Sequence, residues 1–286
     1  VPGTVYGMWE VHQKFGSLPW SQLLAPAIEL AEDGFLISPF MADALNKRYN
    51  KLSSYSNFKR IFYADYPVQM NQLLKQKNLA KTLKTISSKG VKGFYEGSVA
   101  GNIDSYMKKN GGLITKKDLK NYRPVWRDTL KGNYHQYEIV TMAPPSSGGI
   151  HVIQMLNILE EHNLVAMGHN SATYAALLTE SMKYAYADRS EYLGDPGFFD
   201  VPVKSLTSKA YAKQVNKRIT LNTITPSNKI LPGAAMPPES PDTTHFSVAD
   251  ADGNIISNTY TLNSGFGSGI VIDGTGVLMN NEMDDF

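Results

Sequence analysis

Cysteine is absent from all 286 residues. That excludes disulfides, thiolate metal sites and a cysteine nucleophile, while leaving the cellular compartment open. Long apolar runs are missing too: no stretch approaches the roughly eighteen consecutive apolar residues that a membrane-crossing helix needs. Charge of one sign is not in excess. Lys and Arg number 28 against 26 Asp and Glu, for a formal net charge of +2 without a basic block. Neither nucleic acid nor an anionic membrane is therefore indicated as a partner. The 6 histidines are scattered, with no His-Glu-x-x-His arrangement, so no metal site is expected. Repeats and low-complexity tracts are also absent.

What is present reads as an α+β chain. Residues 21–33 place Leu24, Ile28 and Ala31 on one helical face, with Gly34 as the stop and Pro26 as a kink or a start. Residues 78–89 repeat the pattern with Leu79, Leu83 and Ile86, stopped by Gly90. Thr115-x-x-Asp118 has the form of a capping box. Residues 133–142 suit one strand, which runs into the turn Ala143–Gly149. Two helices are expected next: one with Val152, Met155, Leu156 and Leu159 on its core face, the other over 173–192. Residues 194–240, broken by prolines and glycines, read as loop. From Asp242 onward the text turns to strand: 243–249, a turn at Asp252-Gly253, 255–262, a glycine run, 270–272 and 277–280. Helices first and strands last suggest strands packed on helices.

Several constellations fail on chemistry. Asp250-x-Asp252-x-Asn254 begins like a calcium loop, but Ile255 and Thr261 stand where glycine and glutamate are needed, so a hairpin turn is expected. Gly265-Phe266-Gly267-Ser268-Gly269 is rich in glycine, yet Ile270-Val271-Ile272 follows it rather than a helix start able to hold phosphate. Ser146 and Ser147 are not in the Gly-x-Ser-x-Gly order of a nucleophile elbow. Glu29, Glu32, Glu160 and Glu161 read as solvated helix faces. Tyr174, Tyr184, Tyr186 and Tyr192 read as packing.

Pro241-Asp242-Thr243-Thr244 is less easily dismissed. Threonine is β-branched and common where strands begin. A threonine hydroxyl also becomes a nucleophile when its own α-amine is freed to act as the base beside it. Asp242-Thr243, in a proline-punctuated loop opening onto a strand, is a sensible bond for such a cut.

Longer stretches carry a resemblance. Thr243–Val248, Asp252-Gly253-Asn254, Tyr260-Thr261-Leu262-Asn263 and Asn280–Phe286 resemble the start of the small subunit of γ-glutamyltransferases (γ-glutamyltranspeptidases). Val1–Val5, Asn110–Thr115, Pro144–Gly149 and Tyr184–Ser190 are similar to the large subunit, in the right order. The resemblance implies an N-terminal-nucleophile hydrolase fold, an αββα four-layer sandwich incomplete at both ends. Residues 1–242 would end the large-subunit region, and 243–286 would begin the small-subunit region, the two pairing after cleavage.

By the same resemblance, Asp242-Thr243 is the self-cleavage bond and Thr243 the catalytic nucleophile. Thr261 is the hydroxyl that orients it. Asn263, Glu282 and Asp285 hold the substrate's α-amino and α-carboxylate end, and two carboxylates with an amide oxygen suit an ammonium. The Ser146–Gly149 turn is expected to be structural. Glutathione and other γ-glutamyl amides are the expected donors, with water, amino acids or peptides as acceptors. No cofactor is implied, because threonine, its amine and backbone donors suffice for acyl transfer.

Both ends of the chain read as cut. The family's carboxylate-gripping arginine would lie before Val1. Its serine pair, oxyanion glycines and lid would follow Phe286. The chain alone is therefore expected to be inactive or nearly so, and the family suggests a periplasmic or secreted location. Two alternatives stay open: a glutaryl-type acylase on the same fold, whose pocket needs no ammonium site, and a non-catalytic relic.

Overall fold

In the computed structural model, which describes residues 2–230 and 244–285 (Asp284 and Asp285 by backbone alone), the helices begin and end where local chemistry dictates. Trp20–Asp33 stops at Gly34 and Lys77–Lys89 at Gly90, as their spacing predicts. Pro26 neither begins nor ends its helix but lies inside it, on the exposed side, where its missing N–H is tolerated. The Thr115 capping box forms in full. Its hydroxyl accepts from Asp118 N, and the Asp118 carboxylate accepts from Thr115 N at 2.8 Å, opening helix Lys116–Asn121. The Thr115 hydroxyl also donates to Asp118 Oδ2 at 2.6 Å, and that bond, followed by the one from Thr115 N, holds the Asp118 carboxyl below its ordinary pKa.

Packing divides the chain into two compact units, Val1–Val125 with Ser240–Asp285, and Trp126–Glu239. In the first, two apolar clusters form among the N-terminal helices. One gathers Leu45, Phe58, Phe62, Tyr63 and Val68; the other gathers Ile86, Phe94, Ile103 and Leu119. The C-terminal segment feeds both, since Val271 enters the first while Ile272 and Met279 enter the second. Asn57 Nδ2 donates to the Val271 carbonyl at 3.1 Å, and Thr82 Oγ1 to the Thr275 carbonyl at 2.8 Å. The expected strands at 270–272 and 277–280 are reduced to one bridge, Val271 with Leu278. Glycine turns at 274 and 276 close the loop between them so tightly that only a short ladder can form.

In the second unit, the strand expected over 133–142 is instead a hairpin, Leu130–Tyr134 against Tyr137–Thr141. Its turn is at His135, with φ of 49°. Histidine is one of the few side chains that adopt this region readily, and Glu160 Oε1 accepts from His135 N at 2.5 Å. Glu160 is thus not a solvated helix residue, because Lys209 also pairs with it, and both contacts lower its pKa.

The core face of helix Gly148–Leu159 is rotated from expectation. Val152 is exposed, and the buried set is Ile150, His151, Ile153, Gln154, Asn157, Ile158 and Leu159. Polar partners explain this: Gln154 Nε2 donates to Asp188 and Asn157 Nδ2 to the Thr207 carbonyl, so these amides can be buried. Residues 194–240 were expected as loop, but helix Lys209–Asn216 forms within them. Ala212 and Val215 join Ile158, Tyr184 and Ala187 in the core.

The Pro144–Gly149 turn has a steric role. A Cβ at Gly149 would overlap the Met142 carbonyl oxygen, so glycine lets the helix start against the strand end. Gly149→Ala is expected to cost about 1–3 kcal/mol of stability, read from the denaturant midpoint of unfolding. An unchanged midpoint would show that the helix start backs away freely.

The four-layer sandwich is not built by the described residues. Their three sheets each have two strands, and both faces of the Thr244–Ala249/Ile255–Tyr260 hairpin are open, Val248 at 56% and Ile255 at 74% exposure. A lone two-stranded hairpin has no second layer on which to bury a face.

Candidate active site

The hairpin that opens at Thr244 positions the candidate residues. Its register runs from Thr244↔Tyr260 to Ala249↔Ile255. The far turn is closed by Asp250, whose Oδ1 accepts from Asp252 N at 3.0 Å and Asn254 N at 2.9 Å, while Oδ2 accepts from Asn254 Nδ2 at 2.8 Å. These bonds, the Asn254 side chain first, lower the Asp250 pKa, and they use the Asp-x-Asp-x-Asn motif as a turn. No group of three or more metal-ligating side chains gathers among the described residues.

At the near end, Thr261 directly follows Tyr260, the ladder partner of Thr244. Thr261 Oγ1 accepts from Asn263 N at 2.9 Å. Asn263 is buried, with φ of 71°, a left-handed conformation that asparagine tolerates. Its Nδ2 donates to the Asn281 carbonyl at 3.1 Å, which brings the turn after the hairpin against residues 280–282. Glu282 opens the short 3-10 turn Glu282–Asp285, its N donating to Asn280 Oδ1 at 3.1 Å.

The glycine run between these two segments makes the approach possible. Gly267 has φ of 51°, and a Cβ there would overlap the Met279 carbonyl oxygen. Phe266 anchors the run edge-on against Phe58, with ring centroids 5.6 Å apart. Ser268 Oγ donates to the Met279 carbonyl at 3.0 Å.

Thr261, Asn263 and Glu282 are thus brought to one end of the hairpin, although 21 positions separate the first from the last (282 − 261). Asp242 and Thr243 lie outside the described residues, as does the Asp285 side chain. Sequence reasoning assigned nothing to Asn281 or Ser264, yet both belong here. Asn281 Oδ1 accepts from Ser264 N and its Nδ2 donates to Ser264 Oγ, each at 3.1 Å. An amide whose partners lie 17 residues away has no local signature; the one hint was its place inside the Asn280–Phe286 stretch.

Similarity to solved structures defines a class first: the structural family shared by γ-glutamyltranspeptidases and cephalosporin acylases, with the N-terminal-nucleophile hydrolase fold. A cephalosporin acylase from Bacillus halodurans matches with a TM-score of 0.88 at 28% identity, covering 100% of this chain and 52% of that one. The γ-glutamyltranspeptidase of Helicobacter pylori matches with a TM-score of 0.78 at 46% identity, over 82% of this chain and 67% of that one. In sequence, the glutathione hydrolase proenzyme of Escherichia coli (strain K12) is 48% identical over 288 aligned positions, 100% of this chain and 50% of that protein. The family pattern described as Gamma-glutamyltranspeptidase matches residues 1–286.

The chain belongs to the γ-glutamyltranspeptidase family. It spans about half the length of the curated relatives it matches, 50% of the first two. No helix among the described residues is long and apolar enough to cross a membrane.

Proposed function

We propose that the protein containing this chain transfers or hydrolyses the γ-glutamyl group of glutathione and related amides through Thr243. The observation that carries the reading is the meeting of the Thr261–Asn263 turn with the Asn280–Glu282 segment at the end of the hairpin that Thr244 begins. Covalent connection alone keeps Thr243 next to Thr244, and Thr261 next to Tyr260, the ladder partner of Thr244.

In the precursor the Thr243 hydroxyl attacks the Asp242 carbonyl. The peptide C–N bond breaks, which frees the Thr243 amine and leaves Asp242 as an ester on Thr243 Oγ. Water then hydrolyses that ester to restore the hydroxyl and release the Asp242 carboxylate. That amine then takes the hydroxyl proton as Thr243 Oγ attacks the γ-glutamyl carbonyl, and returns it to the departing amine. Water or an amino group releases the acyl chain. Thr261 orients the nucleophile. Asn263, Glu282 and Asp285 hold the α-amino end through charge-assisted bonds.

The chain spans about half the length of the curated relatives it matches, and a single oxyanion donor supplied from the rest of the protein would be worth about 10²–10³ in rate. The chain by itself is accordingly expected to be inactive or nearly so. The open faces of the Thr244–Ala249/Ile255–Tyr260 hairpin support its taking part in an αββα sandwich. Large- and small-subunit regions would stay paired after the cut, in a periplasmic or secreted protein.

The match to a cephalosporin acylase favours one second reading, an acylase for side-chain amides without an ammonium. Asn263, Glu282 and Asp285 weigh against it, since two carboxylates would leave a glutaryl group's lone carboxylate repelled.

The test is the intact mass and amino-terminal sequence of the full-length protein. A second chain beginning at Thr243, with turnover of γ-glutamyl p-nitroanilide exceeding that of glutaryl p-nitroanilide, is the expected result. A folded, uncut chain would move the protein to the relic reading; a preference for the glutaryl amide would move it to the acylase reading.

A further inference from the structure

We infer that Asn281, acting with Ser264, is a positioning residue that sets the separation between the two sides of the ammonium site; this rests on the γ-glutamyl reading above. Four bonds tie Asn281 to the turn. Its backbone N donates to the Leu262 carbonyl at 3.1 Å. Its carbonyl accepts from Asn263 Nδ2, its Oδ1 accepts from Ser264 N, and its Nδ2 donates to Ser264 Oγ, all at 3.1 Å. The side-chain amide therefore acts as one more rung of a ladder between segments that have no strand pairing of their own.

The consequence is geometric. Asn263 is left-handed and buried, so its side chain points where the turn points it. Glu282 follows Asn281 directly, and Asn280 Oδ1 accepts from its N. Moving Asn281 by a fraction of an ångström moves Asn263 and Glu282 relative to each other. Both side-chain ends of Asn281 are engaged by Ser264, so the residue works through its neighbours rather than by touching the substrate. A shift of this kind weakens a site whose several contacts must meet one ammonium together.

The test uses the full-length protein with Asn281→Ala and Ser264→Ala, measured on γ-glutamyl and glutaryl p-nitroanilides, with cleavage followed by gel. For Asn281→Ala, KM for the γ-glutamyl donor is expected to rise about tenfold, as for one net hydrogen bond lost in positioning, while kcat changes less. Ser264→Ala removes one of the two side-chain bonds and should give a smaller rise of the same kind. Glutaryl turnover, which needs no ammonium site, should keep its KM in both.

If both variants cut normally with KM unchanged, or lose kcat equally on both donors, Asn281 is an ordinary structural residue and the inference fails. Should Asn281→Ala not mature, Ser264→Ala decides alone by the same KM criterion. A wild-type protein without γ-glutamyl turnover sinks the functional reading itself, an outcome distinct from either.

Discussion

Full-length protein carrying Thr243→Ala is expected to remain a single uncut chain and to lose γ-glutamyl turnover by on the order of 10⁴–10⁶, the range seen when a hydrolase loses its nucleophile. Alanine removes the hydroxyl that would attack the Asp242 carbonyl and, later, the γ-glutamyl carbonyl, so one change stops both reactions. Thr243→Ser keeps hydroxyl and amine and should still cut, with reduced turnover. Thr244→Ala is the control. Thr244 is an exposed strand residue paired with Tyr260, and its replacement should leave the cut in place. Mass spectrometry reads all three. A Thr243→Ala chain that still divides after residue 242 would remove the Thr243 hydroxyl from the cleavage mechanism, because alanine has no group that could attack the Asp242 carbonyl.

The second large effect lies in the Trp126–Glu239 unit, at a carboxylate that sequence reasoning treated only as part of a motif. Asp188 is buried at 1% exposure. It accepts from Tyr211 OH at 2.9 Å on Oδ1 and 2.7 Å on Oδ2, and from Gln154 Nε2. Three helices, Gly148–Leu159, Ala172–Tyr192 and Lys209–Asn216, are tied together through this one group. Asp188→Ala would leave a buried phenol and a buried amide donor without their acceptor, at about 1–3 kcal/mol each. A total loss of roughly 2–5 kcal/mol is expected in denaturant unfolding, a large part of a domain's stability. Asp188→Asn should be far milder. Gln154 Oε1 has no hydrogen-bond partner among the described residues, so a flipped Gln154 amide can accept from the new Asn side chain.

The same site has a pH signature. Burial raises the Asp188 pKa by more than the Tyr211 and Gln154 hydrogen bonds and the Arg218 charge lower it. Between the ordinary carboxylate range and that raised value, the folded state binds more protons than the unfolded state. Stability contributed by Asp188 is therefore complete below the unfolded-state pKa and falls as pH climbs through the window. Asp188→Asn should flatten this part of the profile of unfolding midpoint against pH. An unchanged slope in the variant would assign it to another group.

Local signals were legible wherever the physics is local. The Thr115 capping box, the stops at Gly34 and Gly90 and the turn at Asp252-Gly253 each depend on a few neighbouring residues, and all form as their residue types require. The His135 turn was not legible, because it lacks the Asn-Gly or Asp-Gly chemistry that marks a hairpin and is held by Glu160 from 25 residues away. The helix Lys209–Asn216 was hidden by the prolines on either side of it. The face of Gly148–Leu159 was misjudged because a polar residue counts as solvent-facing until its buried partner is known. Gln154 and Asn157 have such partners in Asp188 and Thr207.

Sequence by itself determined the family, the hydroxyl, amide and carboxylate side chains offered to the site, and the bond expected to be cut. These follow from residue identity and order, which the chain carries wherever it folds. Tertiary structure decided which of those groups meet and what holds them: the C-terminal segment wedged into both helical clusters, the glycine run that lets it turn back, and the Asn281 clamp on the turn after the hairpin. Such contacts join residues far apart in the chain, and their geometry is set by packing that no local spacing encodes.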